Sequence, residues 1–237
     1  MTWYDPAMIT GCRDLTVRCL LACSLAISGT ACTPQQALIS ALVPDGTASM
    51  LLSHLQDVED ANRRRIVELE RQRDWAGLAQ LADANIARDP FSAEWRLIGG
   101  YARSQAREFR LAAGYFGEMV RLAPDDITAY HFLAEAQRAA GEPRRALNTL
   151  ERALLVSGNA PLTHFLLGEA YGDLARHDAA AAAYRRALAI DPVFADAWFG
   201  LGRASLKEGR VPEAREALRA LEQMKSPRAA DLAALMP

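Results

Sequence analysis

The sequence predicts an all-helical chain, an α-solenoid of about five helix-turn-helix units that ends in a capping helix. The first observation is an internal repeat, because apolar residues recur with a period of 34 from about Asp57 onward. The second is their spacing within each period: offsets of three, four and seven residues place them on one face of a helix. The third is the position of prolines and glycines, which separate the helical stretches.

Composition supports a globular protein and gives no sign of a nucleic-acid partner. The chain has 237 residues, of which 51% are hydrophobic and 24% are charged. Its 27 basic and 29 acidic residues leave a formal net charge of −2. Because such a balance produces no strong overall field, net charge does not point to nucleic acid or to an anionic membrane surface.

Residues 1–31 have the order of a secretory signal peptide. Arg13 and Arg18 precede an apolar run from Leu20 to Ile27, and small residues follow. The uncharged window 19–31 is shorter than the roughly 18 apolar residues that a membrane-spanning helix needs. The sequence therefore predicts a leader that is removed, with either Met1 or Met8 as its start.

The end of this leader resembles a bacterial lipoprotein signal. Its residues Gly29-Thr30-Ala31 precede Cys32, and the resemblance implies that Cys32 is lipidated and becomes the new N-terminus. Cys32 would then be the only thiol of the mature protein, which excludes disulfides and a cysteine-based metal or catalytic site. Two alternatives remain open, namely cleavage after Ala31 without a lipid and a retained, buried N-terminal helix of a cytosolic protein.

Residues 32–56 are predicted to be the lipidated N-terminus and a connector with short helices. The sequence Pro44-Asp45-Gly46 is typical of a turn, and Thr47 is a suitable N-cap for a helix that runs to Val58. The connector would either tether the body to its anchor or pack as an N-terminal cap.

The repeats are marked by small, large and aromatic residues at matching positions. A small residue is followed four places later by a bulky one, and an aromatic residue or His begins each preceding helix. The first two sets are Ala112, Ala146, Ala180 and Ala214, and Phe116, Leu150, Tyr184 and Leu218; the third is Trp95, Tyr130, His164 and Trp198. Small residues at helix crossings allow close approach, and the large ones fill the space beside them.

Unit boundaries follow from the residues that end helices. A proline disfavours helical dihedrals in the residue before it, so helices should end near Pro90, Pro124 and Pro192. Gly141 and Gly209 suit the left-handed residue that closes a helix. The predicted units of the 57–228 solenoid are about 57–91, 92–126, 127–160, 161–194 and 195–228, followed by a C-terminal capping helix at 229–237.

These motifs resemble the tetratricopeptide repeat (TPR), W-x2-L-G-x2-Y followed by A-x3-F and P. The fourth copy matches well, with Leu167, Gly168, Tyr171, Ala180 and Tyr184 in order. The resemblance implies a right-handed superhelix whose first helices line a concave groove for a protein or peptide partner. The residues it places in that groove are Arg96, Arg103, His131, Glu135, Arg138, Phe165, Glu169, Phe199, Arg203 and Lys207.

The groove composition suggests a specific partner. Apolar side chains of a peptide or helix would lie near Phe165 and Phe199, because exposed rings leave area that a partner can bury. Acidic side chains would lie near Arg96, Arg103 and Arg138.

No motif in the chain nominates a catalytic reaction, a metal or another cofactor. The four histidines form no His-x3-His pair, and no phosphate-binding loop or nucleophile elbow occurs. We therefore expect a non-enzymatic scaffold without cofactors.

Similar lipoproteins assist pilus, secretion-channel or surface-polysaccharide assembly, and Thr33 after Cys32 resembles those sorted to the outer membrane and facing the periplasm. The alternatives are a soluble cytosolic adaptor and a regulatory or docking subunit of an enzyme.

Overall fold

The fold was analysed in a computed structural model, which describes residues 60–237. This part of the chain consists of eleven α-helices and contains no β-strand. The predicted signal peptide, Cys32 and the connector lie outside the described residues. The helices are α1 (Asp60–Arg71), α2 (Trp75–Arg88), α3 (Ala93–Gln105), α4 (Phe109–Leu122), α5 (Ile127–Ala139), α6 (Pro143–Val156), α7 (Pro161–Asp173), α8 (His177–Ile190), α9 (Ala195–Lys207), α10 (Val211–Gln223) and α11 (Arg228–Leu235).

The helices pack in chain order as helix-turn-helix units. Each helix from α1 to α10 contacts the next one, so five pairs stack on one another, and α11 covers the end by packing on both α9 and α10. Leu232 of α11 is fully buried in a cluster with Ala217 and Leu221. The predicted fold class, five helix pairs with a capping helix, is confirmed.

Close packing depends on glycines that face large side chains of the neighbouring helix. A Cβ atom built on Gly168 would lie 2.4 Å from Cε1 of Tyr184, and one on Gly200 would lie 2.6 Å from Cζ of the same ring. Real Cβ atoms do not approach other heavy atoms so closely. The Tyr184 ring therefore fills the space that α7 and α9 leave free, as the small-and-large pattern predicts.

The turns inside the units share one backbone geometry. Arg73, Arg107, Gly141, Ala175 and Gly209 follow one another at intervals of 34 residues, and all have φ between 54° and 76°. The prediction of left-handed residues at the two glycines is confirmed. The same geometry at Arg73, Arg107 and Ala175 was not predicted, because residues with a Cβ rarely adopt it.

The prolines end helices where the sequence predicts. Helices α2, α4 and α8 end at Arg88, Leu122 and Ile190, two residues before Pro90, Pro124 and Pro192 respectively.

The first helices of successive units lie on the inner side of the stack. Helix α5 contacts α7 directly, and α7 contacts α9. The second helices α4 and α6 instead line a groove that opens between them. We call the surface of α3, α5, α7 and α9 the inner face. Within residues 60–237, no helix has both the length and the hydropathy for crossing a membrane.

Candidate functional site

The inner face carries a network of charged side chains centred on Arg138 of α5. The Arg138 guanidinium donates from Nε to Asp173 Oδ2 at 2.7 Å and from Nη1 to Glu135 Oε2 at 2.9 Å. Its Nη2 lies 3.4 Å from Glu169 Oε2. Because the Arg138 side chain is only 14% exposed, these three carboxylates largely replace water around it.

Glu169 of α7 connects this arginine to the next unit. Its Oε1 accepts a hydrogen bond from Arg203 Nη2 of α9 at 2.9 Å and another from the hydroxyl of Tyr184. The Glu169 side chain is 19% exposed. One carboxylate therefore joins α5, α8 and α9 to α7, and fixes the relative positions of the polar groups on the inner face.

Burial and charge shift the titration of these groups in defined directions. Burial would lower the pKa of Arg138, but the carboxylates of Glu135, Asp173 and Glu169 outweigh it and raise the pKa above its ordinary value. The pKa of Tyr184 is raised by burial and by the charge of Glu169. The arginine is therefore always charged and the tyrosine always a hydrogen-bond donor at physiological pH.

Beside the network lies a cavity of about 350 Å³ between α5, α7, α8 and α9. Lys207 and His177 lie at its rim with Asp173, while Arg203 contributes a half-exposed guanidinium. Gly172 leaves free space in the wall of the cavity, because a Cβ atom added there would meet nothing within 4 Å. The cavity offers charged groups of both signs in fixed positions, which suits recognition of a polar protein segment.

A second, smaller cluster occupies the N-terminal part of the inner face. Arg103 of α3 contacts Glu108 Oε2 at 2.7 Å and Asp83 Oδ2 at 3.5 Å. The Tyr115 hydroxyl also donates to Asp83. As at Arg138, the cation is matched by carboxylates of this chain.

Two of the predicted groove residues are not available to a partner. Arg96 is buried and donates from Nη1 to the carbonyl oxygen of Ser92 at 3.0 Å. His131 is 1% exposed, and its Nε2 lies 2.7 Å from Thr163 Oγ1. Both residues belong to the packing between helices, which corrects their placement in the groove lining.

The predicted acidic partner of the arginines also needs correction. Arg96 is buried and bonded to the Ser92 carbonyl, while Arg103 and Arg138 already contact carboxylates of this chain. An acidic side chain from a partner would have to displace these contacts. The partners of Arg138 on α7, Glu169 and Asp173, lie 31 and 35 residues away in the sequence, so the sequence around this arginine does not indicate these pairs.

The two predicted phenylalanines are partly covered. The Phe165 ring packs 5.0 Å from that of Phe194 and 5.9 Å from that of Tyr184, measured between centroids. The Phe199 ring lies under the guanidinium groups of Arg203 and Arg228, at 5.8 Å and 5.2 Å. Since both rings support the fold, replacing them would disturb packing as well as any partner surface.

The structure thus brings four predicted residues into one network and places a fifth beside it. Arg138 pairs with Glu135 and Glu169. Glu169 also pairs with Arg203, and Lys207 lines the adjoining cavity. The sequence interpretation treated Tyr184 only as a packing residue, and no sequence signal assigns a role to its hydroxyl. Among residues 60–237, no group of His, Cys, Asp or Glu has an arrangement for holding a metal ion.

A family model matches the C-terminal part of the chain. The family model described as "Tetratricopeptide repeat" matches residues 131–193 and 165–229. No curated protein sequence matches the chain.

Solved structures share the fold at low sequence identity. A crystal structure of MamA is 22% identical, with a TM-score of 0.60 over 68% of this chain and 94% of that one. MamA from Desulfovibrio magneticus RS-1 is 16% identical, with a TM-score of 0.60 over 69% and 92%. The thermophilic TPR protein TTC0263 from Thermus thermophilus is 23% identical, with a TM-score of 0.55 over 72% and 93%. At these identities the likeness concerns the fold alone.

Proposed function

We propose that this tetratricopeptide repeat protein is an envelope-anchored scaffold that holds a partner protein or peptide on its inner face. Repeats of this type mediate protein–protein interactions and are typically non-catalytic. The observation that carries the proposal is the cavity beside the Arg138–Glu169–Arg203 network, where several helices present fixed charges.

The network defines which partner chemistry this surface accepts. Arg138 and Glu169 are largely buried and hold the geometry, whereas Lys207 and Asp173 are exposed at the rim. A partner segment with a carboxylate opposite Lys207 would complete the pattern, because Asp173 already pairs with Arg138. Complementarity of this kind contributes more to specificity and association rate than to raw affinity.

Site-specific crosslinking tests the inner face. A photoreactive residue at Gly172 points into open space in the cavity and should capture a discrete partner in cells. The matched control is the same residue at Ala182, an exposed position in the middle of α8. Lys207→Glu should abolish the Gly172 product without changing the fold. The same product from both positions, or none from Gly172, would refute the inner-face assignment.

Anchoring through a lipid on Cys32 is the second part of the proposal. It is supported by the leader pattern and by the absence of any other cysteine in residues 33–237. Mass spectrometry of the mature protein should find a diacyl or triacyl group on Cys32, and Cys32→Ser should release the protein from the membrane fraction. A mature chain that still begins at Met1 or Met8 would contradict export.

The third part concerns location and pathway. We propose that the protein faces the periplasm from the outer membrane, because Thr33 follows Cys32, and that it assists assembly of a pilus, secretion or surface-polysaccharide system. Density-gradient separation of the two membranes should place it in the outer-membrane fraction. Deletion of the gene should reduce one of these surface structures, and restoration should require Cys32.

A further inference from the structure

A second groove lies on the opposite side of the stack, between the second helices α4 and α6. It encloses about 590 Å³. We call it the outer groove. Its floor combines small and apolar residues with a buried Gln137–Thr149 pair, in which the Thr149 hydroxyl donates to Gln137 Oε1 at 2.8 Å. The floor and wall residues other than the charged ones are Ala113, Gly114, Gly117, Val120, Leu133, Gln137 and Thr149.

Two glycines in the middle of α4 create this groove. A Cβ atom added to Gly114 or Gly117 would meet nothing within 4 Å, so no packing contact of this chain requires glycine there. One repeat later the same places hold Asn148 and Glu151. Glycine in a helix interior costs about 1 kcal/mol relative to alanine. The fold therefore carries two unfavourable residues whose structural effect is an open path to the α4 backbone.

Arginines stand at both ends of the groove. At one end Arg110 and Arg145 contact Glu142, at 3.4 Å and 2.6 Å. At the other end Arg121 contacts Glu118 at 2.7 Å, and Arg152 lies over the Tyr130 ring at 5.3 Å. Each end thus has two cations and one carboxylate among the lining residues, which leaves an excess positive charge at each end.

The spacing of the two ends fits a short protein segment. Arg110, Gly114, Gly117 and Arg121 lie on one stripe of α4, with offsets of four, three and four residues. At a rise of about 1.5 Å per residue, the separation from Arg110 to Arg121 is about 16 Å. A segment with a carboxylate near each end and small side chains between would meet both positive ends and approach the glycines closely.

We propose that the outer groove docks an acidic segment of a partner protein, held by carboxylates at its two ends. The groove joins an excess of positive charge at both ends to a stretch of α4 backbone at Gly114 and Gly117 where an added Cβ would meet nothing within 4 Å. This surface is separate from the Arg138–Glu169 network, because no residue lines both cavities. The outer groove would let the scaffold hold two partners at once.

Selection from a display library of random 16-residue peptides on the full chain tests this docking surface. The double variant Gly114→Asn, Gly117→Glu fills the groove with the residues that the next repeat carries, and so should retain the fold. Peptides that prefer the unmodified protein should carry Asp or Glu toward both ends. They should bind the double variant at least about tenfold more weakly, and Arg110→Gln with Arg121→Gln should weaken them in the same direction.

Matched variants separate docking in the outer groove from a general effect of charge. Ala182→Glu adds an acidic residue to an exposed site on α8 and should leave peptide binding unchanged. Circular dichroism and urea unfolding check that every variant is folded. Three results would overturn the proposal: peptides without acidic ends, equal binding to the filled groove, and no peptides that distinguish the two proteins.

Discussion

Ala175 occupies a backbone conformation that glycine adopts without strain, and Ala175→Gly should stabilise the protein. Its φ is 55°, in the turn between α7 and α8. The turn hydrogen bonds match those at Gly141, since Ala175 N–H donates to the Gly172 carbonyl at 2.9 Å and Gly141 N–H donates to the Arg138 carbonyl at 2.9 Å. A glycine at 175 can therefore keep the existing turn.

The expected gain follows from two opposing effects. Left-handed backbone costs a residue with a Cβ about 1 to 2 kcal/mol. Glycine also makes the unfolded chain more flexible, which costs about 0.4 to 1 kcal/mol. At the midpoints of these two ranges, the difference raises the free energy of unfolding by about 0.8 kcal/mol, which corresponds to an increase in Tm of about 2 °C for a chain of this size.

Urea unfolding followed by circular dichroism measures the change. The matched control is Ala182→Gly, the same replacement at an exposed position inside α8, where the backbone is helical. It should lower the free energy of unfolding by about 1 kcal/mol. If Ala175→Gly destabilised the protein as much as Ala182→Gly, the turn would not have the left-handed geometry and the reasoning would be refuted.

Three further predictions concern the packing and the inner face. Gly168→Ala places a Cβ 2.4 Å from the Tyr184 ring and should cost about 1 to 3 kcal/mol in urea unfolding. Gly172→Ala meets open space and replaces a helical glycine, so it should not lower the free energy of unfolding. Equal losses would contradict the packing argument. Glu169→Gln removes the negative charge between Arg138 and Arg203. Thermal unfolding of this variant should show a lower Tm, and crosslinking from Gly172 on the inner face should be lost. An unchanged Tm would show that the network does not couple the helices. Burial lowers the pKa of His131 from 6.5 to about 4. Because the unfolded chain then binds a proton at this histidine more readily than the folded chain does, acid favours unfolding. The stability that His131 contributes is complete above about pH 6.5 and is lost as the pH falls toward 4. In His131→Asn the decrease in urea midpoint between pH 7 and pH 5 should be smaller, and an identical decrease would exclude this histidine as its source.

Periodicity made the fold predictable because packing in a repeat protein is local. Ala180 and Tyr184 sit four residues apart on α8, and both are buried. Each unit contacts mainly its neighbours, so one 34-residue pattern contains the packing information of the whole stack. The left-handed conformation of Ala175 was not predicted, because the adjacent helices impose it. Residue type indicates a left-handed backbone only where the turn contains glycine.

The candidate site was less predictable, because its contacts cross from one repeat to another. Arg203 pairs with Glu169, 34 residues earlier, and Arg138 pairs with Asp173, 35 residues later. Residues one period apart lie side by side in a stack of repeats, so opposite charges at that separation are a usable signal of intramolecular pairing. Applied to this sequence, a search for opposite charges about one period apart assigns Arg138 and Arg203 to pairs within the chain.

The same rule distinguishes the two surfaces physically. On the inner face, cations and carboxylates one period apart neutralise one another, so the network mainly fixes the geometry of the cavity rim. In the outer groove, Gly117 stands where the next repeat has Glu151, so this place carries neither a side chain nor a negative charge. That replacement leaves Arg121 and Arg152 with one carboxylate, Glu118, among the lining residues at their end of the groove. Gly117 thus both exposes the backbone of α4 and adds no negative charge beside Arg121 and Arg152, and this coincidence is the physical reason to expect an acidic segment there.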